Sequence, residues 1–441
     1  MPSAPNPFDS ARHGWLAVEV TDELTFATLD LDDESPDRTA RVNGWLDAIL
    51  RGFHQSQPNE GFREEWLAAA RADRAVIRGA WATPVAGLSN EVPVATFGHL
   101  VKTMNAGAET MPAWMITDVT VAPTHRRRGL MRRLMTENLE AAVAADVPAA
   151  VLTASEGAIY QRFGFGPATR ESRVRVETSS RFRLRERADD GGQVAIVPSG
   201  EAWPFVEKVF ARHHELTRGS VGRPGYYESW VKGYDWEEMS EDRKQRIAVR
   251  LDADGAPDGF VVYAMKRPGD VTEVAVRDLV SATPAAHLAL WQFLADIDLA
   301  EVVTAAAPVV DHLTHALVNH RVRRVTAIQD HLWVRILDLV VSLEARPWFS
   351  DDSLVLRVED SLGHADGTVR IDATGGRATI ASTSDEPDVT LDVETLGTLY
   401  LGDVSVDPLA QAGRISGSDE ALRRFAALAD GSPSPHCSTH F

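Results

Sequence analysis

Apolar and polar positions along the chain alternate between two periods. Over Asp37–Gln55, Val42, Trp45, Leu46, Ile49, Leu50 and Phe53 recur at helical spacing and gather on one face. Asn59–Arg71 reads as a second, shorter helix carrying Phe62 and Trp66. Arg74–Thr83 and Glu91–Thr103 read as a strand pair joined by the loop around Pro84–Asn90. In the strand Trp114–Ala122, Met115, Thr117, Val119 and Val121 alternate against Trp114, Ile116, Asp118 and Thr120. A helix follows, running to about Asp146, with Leu130, Leu134, Leu139 and Val143 on its buried face and Pro148 past its end. Ala149–Ala154 is a short apolar strand, expected to run parallel to the previous one because a helix joins them. Ser155–Arg170 predicts a short helix and a glycine turn, leading into a last strand near Arg173–Glu177.

The pattern then repeats. Ala202–Thr217 reads as a helix, and Gln245–Leu251 with Gly259–Lys266 as a hairpin about the Asp-rich turn Asp252–Asp258. Val271–Ser281, Ala285–Asp298 and Val302–Ala307 read as strand, helix and strand. VRDLVSATPAAHLALWQFL shares the layout of ITDVTVAPTHRRRGLMRRL, a strand with an internal Asp, a Pro-bearing turn and an apolar helix. The arginines and the glycine are missing, so this copy reads as degenerate, a wall of a cleft rather than a second catalyst. A third unit begins near Asp330. LWVRILDLVVSLEARPW predicts a strand running into a helix, followed by strands at Ser353–Val358, Thr368–Asp372, Ala378–Ser382 and Asp388–Asp392. Helices near Val393–Leu401 and Asp419–Ala429 close it, and Gly431–Phe441 is a Ser/Pro-rich tail. Residues 1–35 are acidic and rich in Pro and Asp, with one short strand expected near Trp15–Val20. The sum is an α/β (α+β) chain divided at 1–35, 36–180, 181–329 and 330–441.

Composition narrows the class. At roughly 100–200 residues per domain, 441 residues allow two to four domains. The single cysteine, Cys437, rules out an internal disulfide framework and a cysteine-based zinc cluster, and fits a reducing cytoplasm. Neither a signal peptide nor an apolar run long enough to span a bilayer is legible. The net charge of −19 argues against nucleic acid or an anionic membrane as partner and favours cationic substrates.

The chemistry concentrates in Val119–Glu140, VTVAPTHRRRGLMRRLMTENLE. A strand ends in an Arg/Gly turn that opens a helix, whose first N–H groups lack intrahelical partners and sit at the positive end of the dipole. Such a turn cradles an anion and suits a pyrophosphate. Arg126, Arg127 and Arg128 add charge, and Gly129 removes a Cβ from the approach.

VTVAPTHRRRGL resembles the acyl-CoA signature of the GNAT acetyltransferases, (R/Q)-x-x-G-x-(G/A), here Arg126 to Met131 with Met131 where a small residue is usual. More narrowly, the chain resembles the Eis-type (enhanced intracellular survival) N-acetyltransferases of actinobacteria. The resemblance covers nearly everything after Asp37 and includes ASEGAIYQRFGFGPAT, LWVRILDLVVSLEAR, LGTLYLG and a final Phe. It implies two GNAT-like domains, the second degenerate, and a sterol-carrier-like C-terminal domain. It further implies a homo-hexamer and acetyl-CoA-dependent acetylation of amines, notably on aminoglycosides at several positions or on lysine side chains. No metal is expected.

By the same resemblance, Val119, Thr120 and Val121 pair their backbone with the pantetheine arm. Arg127, Arg128, Gly129, Leu130, Met131 and Arg132 hold the pyrophosphate, and Ser155 and Glu156 line the cofactor's other side. Tyr160, matched with Gly164 and Phe165 in the family's Tyr-x-x-x-Gly-Phe spacing, is the candidate general acid, since a phenol with a pKa near 10 keeps its proton at neutral pH. The resemblance also implies that the terminal carboxylate of Phe441 enters the site and helps to deprotonate the amine. Phe53, Trp66 and Asp118 are candidates for the acceptor pocket, offering aromatic walls and a negative charge.

The histidines show no metal-binding spacing. His213 and His214 are adjacent, and His312 and His315 read as structural or surface residues. Two other functions compete: acyl transfer from longer acyl-CoAs or to protein lysines only, and non-catalytic binding of a hydrophobic ligand by the C-terminal domain.

Overall fold

Three sheets organise the protein. The structure, a computed structural model, describes residues 19–21, 24–84, 86–87, 89–178, 181–186 and 190–441. The first sheet has eight strands, in the spatial order Glu19–Thr21, Leu24–Leu29, Val76–Ala82, Ala95–Asn105, Thr110–Val121, Ala149–Thr153, Leu332–Ile336 and Gly166–Pro167. Helices Pro36–Gly52, Glu60–Ala72 and Leu130–Ala144 flank it. Thr110–Val121 and Ala149–Thr153 are parallel, as the crossover helix requires. One face carries Phe97, Trp114, Ile116, Leu130, Leu134, Leu139, Phe163 and Phe165 in a continuous apolar core.

The expected boundaries at 180 and 330 do not coincide with the sheets. Arg170–Glu177, expected as the last strand of the first unit, lies inside the second sheet between Arg323–Asp330 and Val302–Pro308. Leu332–Ile336, expected to open the third unit, lies inside the first sheet, antiparallel to both Ala149–Thr153 and Gly166–Pro167. The chain therefore crosses between the two sheets twice, at Ala168–Thr169 and at His331. The 1–35 segment is also not a bare extension, because Leu24–Leu29 pairs with Val76–Ala82 and buries Phe26, Ala27 and Leu29. The expected strand near Trp15–Val20 overlaps Glu19–Thr21, while Trp15–Val18 lie outside the described residues.

The second sheet has seven strands, with helices Ser199–Leu216 and Pro284–Ala295 packed on it. The hairpin and the parallel pair Glu273–Ser281 and Val302–Pro308 fall where the sequence predicts them. The third sheet has five strands, four of them at the predicted positions and the fifth at Ile415–Gly417. Its core runs on into the other face of the first sheet, where Leu332, Val334 and Ile336 meet Leu354, Leu356, Leu396 and Leu399. Helix Val393–Tyr400 lies directly on that sheet: a Cβ on Gly397 would stand 2.3 Å from the Val334 carbonyl oxygen, so only glycine permits the approach. Arg335 and Asp360, 2.6 Å apart and fully buried, join the two units by a charge pair, which is costly to break from one side.

Candidate active site

One cleft of about 2010 Å³ gathers every candidate residue. Its origin is the parting of two strands. Thr110–Val121 and Ala149–Thr153 pair at Ala113, Trp114 and Met115, and then separate. Beyond Met115 one edge of the outer strand still pairs with Ala95–Asn105, where Val121 faces Ala95 and Thr120 faces Thr96. The backbone edge of Val119–Val121 on the side of Ala149–Thr153 borders the cleft. An open strand edge of this kind can accept an extended, amide-bearing chain as an added strand.

A register shift between Thr96 and Gly98 sets Asp118 and Val119 against the single Phe97 in a bulge, and Asp118 adopts φ 57°, a conformation uncommon for a non-glycine residue. Thr96 Oγ1 donates to the Asp118 carbonyl at 2.7 Å and holds the bulge. The bulge re-aims the Asp118 side chain. Its carboxylate makes no hydrogen bond or ion pair with any described residue, and burial pushes its pKa up to about 7.

At the mouth, the helix Leu130–Ala144 begins at Gly129, φ 79°, preceded by Arg127 at φ 64°. Arg133 N donates to the Gly129 carbonyl at 3.0 Å, so helical bonding starts there. The N–H groups of Leu130, Met131 and Arg132 precede the first intrahelical donor. A Cβ built on Gly129 meets no atom within 4 Å, so the turn is open on its outer side. Arg126, Arg127, Arg128 and Arg132 are exposed, whereas Leu130 is buried and Met131 packs partly into the core. This arrangement fits a polyanion such as a diphosphate.

The opposite wall is built from Thr153 to Tyr160. Ser155 and Glu156 are exposed at the strand end, and the helix Gly157–Gln161 presents Tyr160. Gly164 at φ 82° turns the chain so that Phe163 and Phe165 enter the core behind it. The Tyr160 ring packs edge-on against Phe165 at 6.2 Å. Burial, and then the charge of Glu156, raise the phenol above its ordinary pKa, so it holds its proton at neutral pH.

The tail Gly431–Phe441 does not fray. Arg218 Nη2 donates to the Gly431 carbonyl at 2.9 Å and also to that of Pro433. Cys437 and Thr439 are buried, and Thr439 Oγ1 donates to the Val221 carbonyl at 2.6 Å. Tyr227 Oη accepts from His440 N at 2.9 Å, and Tyr226 Oη donates to the His440 carbonyl at 2.5 Å. Phe441 reaches the cleft, where its backbone oxygen accepts from Thr153 Oγ1 at 2.6 Å.

Phe53 and Trp66 line the cleft on the helical side, with Phe53 45% exposed at the end of its helix and Trp66 tilted by 42° against the buried Trp45, ring centroids 5.5 Å apart. Sequence reasoning missed a second aromatic wall. Tyr226 and Trp236 of the second unit line the same cleft, with ring centroids 5.7 Å apart, and Glu237 adds an acid beside them. Their signal was the aromatic density of GYYESWVKGYDWEE, in a stretch for which the periodicities predicted no element. The cleft is thus cationic at the Arg/Gly turn. At the other end it carries Asp118, Glu237 and Phe441.

Comparison with known proteins agrees with this architecture. Models of the acetyltransferase (GNAT) domain match residues 37–168 and 219–336, and a model of the sterol carrier protein domain matches residues 339–438. An uncharacterized N-acetyltransferase of Streptomyces griseus is 34% identical over 420 residues, covering 91% of this chain and 96% of the relative. The N-acetyltransferase Eis of Mycobacterium tuberculosis is 33% identical over 328 residues, covering 72% of this chain and 78% of the relative. The crystal structure of Eis1 from Mycobacterium abscessus superposes with a TM-score of 0.76 at 25% identity, covering 91% of this chain and 98% of that one. Among the described residues no helix is long and apolar enough to cross a membrane.

Proposed function

The chain belongs to the Eis-type N-acetyltransferases, and from that footing we propose that its cleft moves the acetyl group of acetyl-CoA to a primary amine of a polycationic acceptor. The acceptor class is an aminoglycoside, modified at one or several amino groups, or a lysine side chain. The observation that supports this reading is the convergence of three unlike groups on one cleft: the cationic turn at Gly129, the phenol of Tyr160 and the carboxyl group of Phe441.

In this reading the N–H groups of Leu130, Met131 and Arg132, with the guanidinium groups of Arg127, Arg128 and Arg132, take the diphosphate. The backbone of Val119, Thr120 and Val121 pairs with the amide-bearing arm, and Ser155 and Glu156 flank it on the other side. Asp118, Glu237 and the ring faces of Phe53, Trp66, Tyr226 and Trp236 hold the cationic acceptor by charge and cation–π attraction. We take Phe441 as the residue that ends the protein. Its carboxylate, fixed by Thr153, accepts a proton from the ammonium group, which frees the nitrogen lone pair. The amine nitrogen bonds to the thioester carbonyl carbon, the carbon–sulfur bond breaks, Tyr160 gives its proton to the departing sulfur, and the surplus proton on the acylated nitrogen passes to the Tyr160 oxygen and restores the phenol. A hexameric assembly and a cytoplasmic setting belong to the same reading.

The test is thiol release from acetyl-CoA across a panel of aminoglycosides, diamines and lysine peptides, with product masses read for the number of acetyl groups added. Turnover with polyamines at neutral pH is expected. Absence of thiol release with every amine would overturn the proposal.

A further inference from the structure

Three side chains far apart in sequence meet where the two large sheets exchange strands. Glu171 stands on Arg170–Glu177, one strand in from the edge of the second sheet. His331 is the single residue between Arg323–Asp330 of the second sheet and Leu332–Ile336 of the first. His440 belongs to the tail that docks over this junction. One ligating atom from each lies within 4.8 Å of the others, and Glu171 and His331 are buried, whereas His440 is exposed toward the cleft.

The hydrogen bonds around the cluster leave the right atoms available. His331 Nε2 lies 3.0 Å from the Thr439 carbonyl oxygen, which can only accept, so Nε2 carries the proton and Nδ1 keeps its lone pair. A ring whose second nitrogen donates to a carbonyl is the usual state of a metal-ligating histidine. Glu171 Oε1 is engaged by Gln329 Nε2 at 3.1 Å and Arg173 Nη2 at 2.8 Å, while Oε2 has no partner among the described residues. The His440 ring makes no hydrogen bond with a described residue and stands edge-on to His331, with centroids 4.5 Å apart. Arg173 and Arg223 are nearby cations that oppose a metal; the Arg173 side chain is 47% exposed and can turn to solvent, and Arg223 is paired with Asp278 at 2.6 Å. Ligand atoms on a tetrahedral zinc-sized ion stand roughly 3.3 Å apart, given bonds of about 2.0–2.1 Å. The exposed His440 side chain can supply the closure of about 1.5 Å that this requires.

We propose that Glu171, His331 and His440 bind a divalent transition-metal ion of the zinc class, with a fourth position open to the cleft, and that the ion staples the tail to the strand-exchange junction. Two imidazoles and one carboxylate are the ligand set of many open zinc sites. No sequence spacing announces the site, because its ligands come from residues 171, 331 and 440.

The test is a cobalt(II) titration of the full-length, chelator-treated protein with its own C-terminus, read by visible absorption and by calorimetry. The expected result is one ion per chain with a tetrahedral spectrum, displaced by zinc. His440→Asn and Glu171→Gln should each weaken binding at least tenfold, while His312→Asn should not change it. His312 controls for the other clustered histidines and acids, His287, Asp311 and His312. His440→Asn is exposed and leaves the backbone bonds of the tail in place, so an unaltered metal-free melting temperature will show that the variant folds. Binding unchanged in His440→Asn, binding lost in His312→Asn, or an octahedral spectrum would each overturn the site. None of these readouts depends on acetyl transfer.

Discussion

Tyr160→Phe isolates the proton that the phenol would give to the leaving sulfur. The Tyr160 hydroxyl bonds no described residue, and its ring rests on Phe165 through an edge contact that phenylalanine retains. Stability should therefore change by less than about 0.5 kcal/mol, as for substitutions that open no cavity and strand no polar group. General acid catalysis contributes roughly 10²–10⁴-fold, or about 2.7–5.4 kcal/mol of barrier. A thiolate is a tolerable leaving group near neutral pH, given a thiol pKa of about 8.5, so the lower end applies. We expect kcat to fall about 100-fold while KM for acetyl-CoA is unchanged, because the lost interaction operates only in the transition state. The assay is thiol release at saturating acetyl-CoA with a polyamine acceptor, followed from neutral to alkaline pH. Glu156 sharpens the test. Its negative charge raises the Tyr160 pKa, so Glu156→Gln should move the alkaline limb of kcat to lower pH. A Tyr160→Phe enzyme whose kcat stays within about threefold of the parent would refute the assignment. So would an alkaline limb that stays in place in Glu156→Gln.

Three further outcomes are expected. Appending one glycine after Phe441 moves the carboxylate away from Thr153 but leaves the anchors at Val221, Tyr226 and Tyr227 intact. It should cut kcat by roughly 10²-fold or more with acetyl-CoA affinity by calorimetry preserved; equal turnover would falsify the base role. Arg127→Gln combined with Arg132→Gln removes two exposed guanidinium groups from the turn. KM for acetyl-CoA should rise about tenfold or more, steeply with salt, and KM for the amine should hold; a selective rise in the amine KM would count against the diphosphate cradle. The third outcome is a loss of stability in acid. Burial holds the imidazole of His99 down to about 3 and that of His213 to about 4. Both lie below the unfolded value of about 6.5, so the unfolded chain binds more protons below that pH. Stability should be level above about pH 6.5 and fall toward pH 4 by up to about 1.4 kcal/mol per unit for each histidine. A midpoint of urea unfolding that is flat across that window would count against it.

Periodicity located most elements to within a few residues, because helices such as Leu130–Ala144 and Asp419–Ala429 carry amphipathic stripes that owe little to their neighbours. It could not say which sheet a strand joins. Arg170–Glu177 and Leu332–Ile336 read as ordinary strands at the edges of their units, yet each sits inside another unit's sheet. Pairing is decided by long-range contacts that leave no local mark. Leu24–Leu29 was hidden by its acidic, Pro-rich surroundings. The Arg/Gly turn and Tyr160 were legible because their chemistry depends on local spacing. The bulge at Asp118 was not, since a non-glycine residue at positive φ has no sequence signature. Tyr226 and Trp236 reach the cleft from the second unit through tertiary packing that only the fold discloses.

The double crossing at Ala168–Thr169 and His331 makes the two halves interlock like links rather than follow one another like beads. Severing the chain near residue 180 would leave each fragment with a foreign strand and a gap one strand in from the edge of its own sheet. Neither half is an autonomous piece that could be transplanted or lost by recombination. An ancestral duplication that ended in this weave would have locked the silent copy in place, its retention guaranteed by architecture rather than by any catalysis of its own.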